Sequence, residues 1–267
     1  MLQLTTRDRE IVSWVFIAGL TTRLQIQALL FSPGARSRCQ QRLTMLYRHH
    51  FLDRLPDRPR TAADVYYISK RSTNALRLLR ASGADEPLRL THPSAATLQH
   101  ALDVVACRVQ VIRACQQCNF SLLQWLGEDD LRELTGRSGV LPDAYFQIER
   151  STADGERRAG FFVEVERSAK PDRFLREKYR RYGQFYYGGD FERAFGGRAL
   201  RLLYLVGGDY GIRPESRIRK LLKLAEETNL TLLRLAPLST FLEASANLAL
   251  TEKLWLRPGD SEFVSLL

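Results

Sequence analysis

Three runs decide how this chain folds: LPDAYFQIER (141–150), GFFVEVER (160–167) and PDRFLREKYRRYGQFYY (171–187). The first two are strand-length and rich in aromatic and branched residues. The third repeats its apolar residues at helical spacing, with Pro171 near the first turn. In a strand, residues two apart share a face, so Glu164 and Glu166 point the same way. A strand opening with Phe161, Phe162 and Val163 does not normally aim two carboxylates at a core. They must be paired, exposed or metal-bound. Lys178 has Phe174 four residues before it and Tyr182 four after, which puts it on a partly aromatic helix face. It can snorkel there, or reach over the carboxylates to a phosphate. The competing reading is an exposed acidic strand pair, salt-bridged to Arg150, Arg167 or Lys178.

Outward from this centre, Ser94 to Cys118 carries a long helical pattern through Leu98, Leu102, Val105, Val109 and Ile112. Strands are expected over Phe120–Leu126, Val140–Arg150 (with Pro142-Asp143 inside it) and Gly160–Arg167. A helix follows over Pro171–Tyr187. Ala199–Val206 is continuously apolar, the pattern of a central strand. A helix over Pro214–Thr228 and a strand over Thr231–Leu238 complete the order α-β-β-β-α-β-α-β, an α+β or α/β arrangement with a mixed sheet. This domain is expected over residues 94–240, with 241–267 a C-terminal extension to which no function is assigned. The loop-like stretch Ala81–Pro93 separates it from residues 1–82.

In the N-terminal part, Ile11, Val12, Val15 and Phe16 mark one helical face. Thr22 and Gln25 form a capping-box pattern ahead of a helix that buries Leu24, Leu29 and Leu30. After Ser32-Pro33-Gly34, a third helix spans about Ala35–His50 with a core stripe of Cys39, Leu43, Leu46 and Tyr47. Phe51–Leu55 and Val65–Ile68, joined by a basic tip, read as a hairpin, and a helix from Ser69 or Ser72 to Arg80 closes the unit. Three helices and a hairpin make a winged helix-turn-helix. In that arrangement Arg36, Arg38, Gln41, Arg42 and Arg48 of the third helix face the major groove, and Arg58 and Arg60 of the wing meet phosphate or minor groove.

Charge agrees with a polyanionic partner. Residues 1–90 carry 15 Lys and Arg against 7 Asp and Glu, whereas residues 91–267 carry 25 against 23. Clustered cations gain from counterion release on phosphates, so double-stranded DNA is expected at the N-terminal third. No apolar run approaches the ~20 residues of a membrane span, and the start of the chain lacks a signal peptide's apolar core; a cytoplasmic protein without a membrane partner is expected. Four cysteines do not make a disulfide scaffold. The lone Cys115-Gln-Gln-Cys118 lacks the second pair that a structural zinc needs, and reads as buried small residues.

The order Pro142-Asp143, then Glu164-Val165-Glu166 on the next strand, resembles the PD-(D/E)xK nuclease superfamily and its restriction-endonuclease-like core. The resemblance implies that Asp143 and Glu164 hold Mg2+ (or Mn2+) together with the Val165 carbonyl. Glu166 stands at the usual lysine position and would assist, and Lys178 supplies the cation from the following helix. The whole chain also resembles the replication-relaxation family. That resemblance is carried by Leu4–Ile11, His92 and His100, Leu141–Ala144, Phe161–Arg167 and Lys178–Tyr182, and implies a role in plasmid or mobile-element replication and DNA relaxation. The function expected is therefore a Mg-dependent DNA endonuclease or nickase guided by a winged helix, with Asp143, Glu164, Glu166 and Lys178 as catalytic residues. Proteins of a replication or mobile-element complex are further expected partners, and homodimerisation stays open. The alternative is a non-enzymatic replication, accessory or regulatory DNA-binding factor with a degenerate nuclease-like domain.

Overall fold

The computed structural model describes residues 3–55, 63–83, 95–153, 155–207 and 214–267. Its internal contacts divide the chain into Met1–Val109 and Gln110–Leu267. The division falls within a long helix, downstream of the expected linker, most of which lies outside the described residues.

The first unit runs α1 (Thr6–Ala18), β1 (Leu20–Thr22), α2 (Arg23–Leu30), α3 (Arg36–Arg48), β2 (Asp53–Arg54), β3 (Val65–Tyr67) and α4 (Thr73–Ala81). Local signals set the helix starts. Thr5 accepts from the Asp8 amide while the Asp8 carboxylate takes back the Thr5 amide at 2.8 Å. Thr22 and Gln25 do the same for α2. The three strands form an antiparallel sheet in the order β1-β3-β2, with Thr21 opposite Tyr66 and Arg54 opposite Tyr66 on the other side. Strand β1 was not legible beforehand, because three residues beside a helix cap have no period of their own. Ile11, Val12, Val15, Ile26, Cys39, Leu43 and Leu46 are buried. Phe16, Leu29 and Leu30 of the expected core are half-buried, and two further expected core residues are exposed. Leu24 is exposed because Ile26, about 200° round the helix from it, takes the inward face, and Tyr47 is exposed with the Arg54 guanidinium 5.3 Å over its ring.

Helix α5 (Ala95–Cys118) is followed by β4 (Ser121–Gly127), α6 (Glu128–Thr135), β5 (Ala144–Thr152), β6 (Gly155–Glu166), α7 (Asp172–Tyr187), α8 (Asp190–Phe195), β7 (Leu200–Val206), α9 (Pro214–Glu227), β8 (Leu233–Pro237) and α10 (Leu238–Glu243). The five strands lie in sequence order, β4-β5-β6-β7-β8. The first three are antiparallel, and β7 and β8 join in parallel. The parallel joins need crossovers, which α7 with α8 and then α9 supply. The fold is thus α+β with a mixed sheet. The short helix α6 was not anticipated between β4 and β5, and Asp143 stands one residue before β5 rather than inside it.

Tyr145, Phe162, Leu202 and Tyr204 form a core with Leu175, Tyr179, Tyr182 and Phe185 of α7 and Ile218, Leu221 and Leu224 of α9. The opposite face carries Phe146 stacked on Phe161, with ring centroids 4.7 Å apart. Gly160 is required in β6 by close approach: a Cβ there would lie 2.6 Å from the Tyr145 hydroxyl oxygen. Among the described residues no helix is long and apolar enough to cross a membrane.

Candidate functional site

Glu164 and Glu166 lie near the end of β6, on the face that carries Phe162, and both are 5% exposed. Each is paired. The Lys178 ammonium sits 2.6 Å from Glu164 Oε2, and the Tyr182 hydroxyl, one helical turn beyond Lys178, donates to Glu164 Oε1. Arg217 of α9 forks onto Glu166, with Nε donating to Oε2 at 3.1 Å and a terminal nitrogen to Oε1 at 2.5 Å. Of the alternatives that the alternating pattern left open, these carboxylates are paired, and they are buried rather than displayed on the surface.

Asp143 enters from the neighbouring strand. Its amide donates to Val163 O at 3.0 Å, extending the β5–β6 ladder by one residue. Its Oδ2 accepts the Val165 amide at 2.7 Å. Asp143 therefore hydrogen-bonds the residues on either side of Glu164. It is the amide of Val165 that meets this carboxylate.

Burial pushes the Glu164 carboxyl above the usual carboxylate range; the Lys178 charge opposes this shift and the Asp143 charge adds to it. The Tyr182 hydroxyl is driven well up, first by burial and then by the Glu164 charge beside it. For Arg217, burial works against the charge, but the Glu166 carboxylate more than restores it and the guanidinium titrates above its ordinary value. The Tyr179 hydroxyl is buried with no hydrogen-bond partner among the described residues, and its titration is raised by burial and by the nearby Glu166 and Glu164.

The donor chemistry suits a hard cation. Asp143 and Glu164 offer oxygen only, and Mg2+ and Mn2+ favour a few carboxylates supplemented by water. Among the described residues no group of three or more His, Cys, Asp and Glu is arranged to hold a metal. Cys115 is buried, with burial pushing its thiol up to about 12, and the Cys118 thiol donates to Asn247 O.

In the first unit, Arg36, Arg38, Gln41 and Arg48 are exposed on α3. Arg42 departs from the expected base-reading face. Its Nε donates to Asp8 Oδ1 at 2.8 Å and its terminal nitrogen bonds the other oxygen of that fully buried carboxylate, tying α3 to α1. The helical period placed Arg42 outside the apolar stripe; it could not reveal a buried acid 34 residues earlier. Arg58 and Arg60 lie outside the described residues. An open cleft of about 640 Å3 lies at the end of α3, lined by Tyr47, Arg48, His50, Leu52, Asp53, Arg71 and Thr73. Arg71 was missed as a neighbour of Arg48 and His50 around this cleft, since it joins them only through the turn after α3 and the start of α4.

Arg217 and Tyr182 were also missed as partners of the acidic pair. Tyr182 had a signal, its spacing of four from Lys178. Arg217 had none, standing 51 residues from Glu166.

The fold and site define an α+β protein with a carboxylate–lysine cluster at the joined ends of two strands, preceded by a small basic unit. The chain belongs to the replication-relaxation family, whose family model matches residues 14–199. The structure of restriction endonuclease FokI is similar at a TM-score of 0.35 and 11% identity, over 93% of this chain and 45% of that one. The chain thus spans less than half the length of that neighbour. No curated protein matches it.

Proposed function

We propose that this chain is a DNA-binding protein of plasmid or mobile-element DNA processing, and that it nicks or cuts DNA at Asp143 and Glu164 in the presence of Mg2+ or Mn2+. The observation that carries this reading is the convergence of Asp143, Glu164 and Lys178 at one end of the β5–β6 pair. A divalent ion held by Asp143 and Glu164 would supply Lewis acidity and an activated water. The chain's own groups do the rest. Tyr182 holds one oxygen of Glu164 in place, the Val165 amide orients Asp143, and Lys178 carries the positive charge that meets the scissile phosphate. Glu166 acts through Arg217 as a fixed pair supporting the end of β6.

The first unit serves as the winged helix-turn-helix of this reading. Its order of three helices and a three-stranded antiparallel sheet, and the exposed Arg36, Arg38 and Arg48, support docking on duplex DNA. One observation favours the second reading, a non-enzymatic replication or regulatory factor: Lys178 and Arg217 already match both glutamate charges, so the cluster is internally satisfied.

Supercoiled plasmid incubated with the protein and Mg2+ or Mn2+, beside Glu164→Gln and an EDTA control, separates the two. Metal-dependent nicking that is lost in the variant supports the enzyme. Plasmid that is retarded in the gel but uncut moves the conclusion to the second reading.

A further inference from the structure

The sheet face turned away from α7 and α9 holds a cluster of arginines that the proposed chemistry does not use. Cross-strand partners share a face, and the register runs Phe146, Phe161, Arg201 across one row and Ala144, Val163, Leu203, Arg234 across another. Arg201 and Arg234 are therefore diagonal neighbours on β7 and β8. Arg150, four residues beyond Phe146 on β5, is on their face but stands opposite Arg157, on the side of Arg201 away from Arg234. Leu235 and Leu256 exchange both backbone hydrogen bonds, at 2.8 and 2.9 Å, in an antiparallel bridge, so the next residue pair across that bridge is Arg234 and Arg257. Arg201, Arg234 and Arg257 thus follow one another across neighbouring strands, where like charges repel.

Counter-charge is scarce. Asp260 bonds Arg257 and its charge also acts on Arg234, while neither Arg201 nor Arg234 makes a salt bridge with a carboxylate among the described residues. Arg201 lies with its guanidinium 5.8 Å over the Phe161 ring. Arg234 donates to the carbonyls of Thr231 and Leu233, while its buried Nε has no hydrogen-bond partner among the described residues. Burial and the neighbouring Arg201 and Arg257 charges, opposed by Asp260, push Arg234 down to about 10, and burial with Arg150 lowers Arg201 as well. Three guanidinium groups beside one carboxylate leave an excess of positive charge that a bound anion would complete.

We propose that Arg201, Arg234 and Arg257 form an anion site that takes a phosphate group. Forked guanidinium groups match the oxygens of a phosphate, and its charge suits a cluster of several cations better than a monovalent ion does. The site is not the one proposed for the scissile phosphate. Arg201 pairs with Phe161 near the start of β7, whereas Glu164 stands three residues farther along β6 and faces the other side of the sheet. The phosphate is supplied either by a nucleic-acid backbone or by a free phosphoanion.

Thermal unfolding at constant ionic strength tests this, with pyrophosphate added to the wild type, to Arg234→Met and to Arg257→Ala. Arg257 is exposed, so its variant keeps the fold if Arg234→Met does not. At roughly ten times its Kd, pyrophosphate is expected to raise the wild-type Tm by about 3–6 °C, with most of the rise lost in both variants. Equal shifts in wild type and Arg257→Ala would overturn the site. A fluorescent single-stranded oligonucleotide then identifies the source. Binding that weakens severalfold in Arg257→Ala and is displaced by pyrophosphate assigns the phosphate to a nucleic-acid backbone. Binding indifferent to the variant, alongside a variant-sensitive pyrophosphate shift, assigns it to a free phosphoanion. Neither readout depends on nicking.

Discussion

Arg217 grips both oxygens of Glu166 with less than a tenth of either side chain exposed, joining the end of β6 to α9 across 51 residues of chain. A buried ion pair of this kind is neutral at best against an apolar pair of equal volume, but removing one partner strands the other charge. Arg217→Met is expected to cost about 3–5 kcal/mol in urea unfolding. The double variant Glu166→Leu/Arg217→Met should recover most of that loss. Failure of the double variant to recover would mean that Glu166 has a further role that a leucine cannot fill.

The neighbouring cluster behaves differently, since Tyr182 and Lys178 share a single carboxylate. Tyr182→Phe removes a hydrogen bond to a buried charged group and should lower stability by about 1–3 kcal/mol. If Glu164 is the nicking centre, this variant loses cleavage while its duplex affinity stays within twofold of wild type. A parallel loss of affinity would show that the tyrosine acts through the fold as a whole.

Asp8 introduces a pH dependence. Burial opposes its ionisation, yet the Arg42 guanidinium and the Thr5 hydroxyl and amide outweigh that and hold the carboxyl below its usual range. A depressed folded-state pKa contributes stability above the unfolded value, and the contribution disappears as pH falls through the folded one. The difference in Tm between wild type and Asp8→Asn should therefore be largest near pH 7 and shrink steadily below about pH 4. A difference independent of pH would remove the ionised pair from this account.

On α3, exposure separates arginines that meet solvent from one that meets Asp8. Arg38→Ala should weaken duplex binding and reduce the slope of log affinity against log salt by about 1, the loss of one phosphate contact. Arg42→Ala is expected to leave that slope nearly unchanged and instead to lower Tm. Fluorescence anisotropy across a salt series, with melting curves for the same proteins, checks both.

Gly160→Ala should destabilise by about 1–3 kcal/mol, because the new methyl meets the buried Tyr145 ring rather than a flexible chain end. Calorimetry would measure the loss. The double variant Gly160→Ala/Tyr145→Phe recovers part of it if the hydroxyl contact is the cause.

Elements with a strong period or a cap were legible from the residues alone. The capping box at Thr22, the apolar stripe of Cys39, Leu43 and Leu46, the shared face of Glu164 and Glu166, and the continuously apolar β7 all follow from spacing within one element. Such signals are local, because backbone hydrogen bonding and side-chain direction repeat every two or 3.6 residues. Tertiary structure alone decided which charges meet. Whether Glu166 faces Arg217, whether Arg42 turns to Asp8, and that Arg201, Arg234 and Arg257 gather on one face depend on strand register and on crossovers that bring distant residues together. Coulomb energy acts between positions in space, and a chain that reads the same residue by residue can set its charges against quite different partners once it is folded.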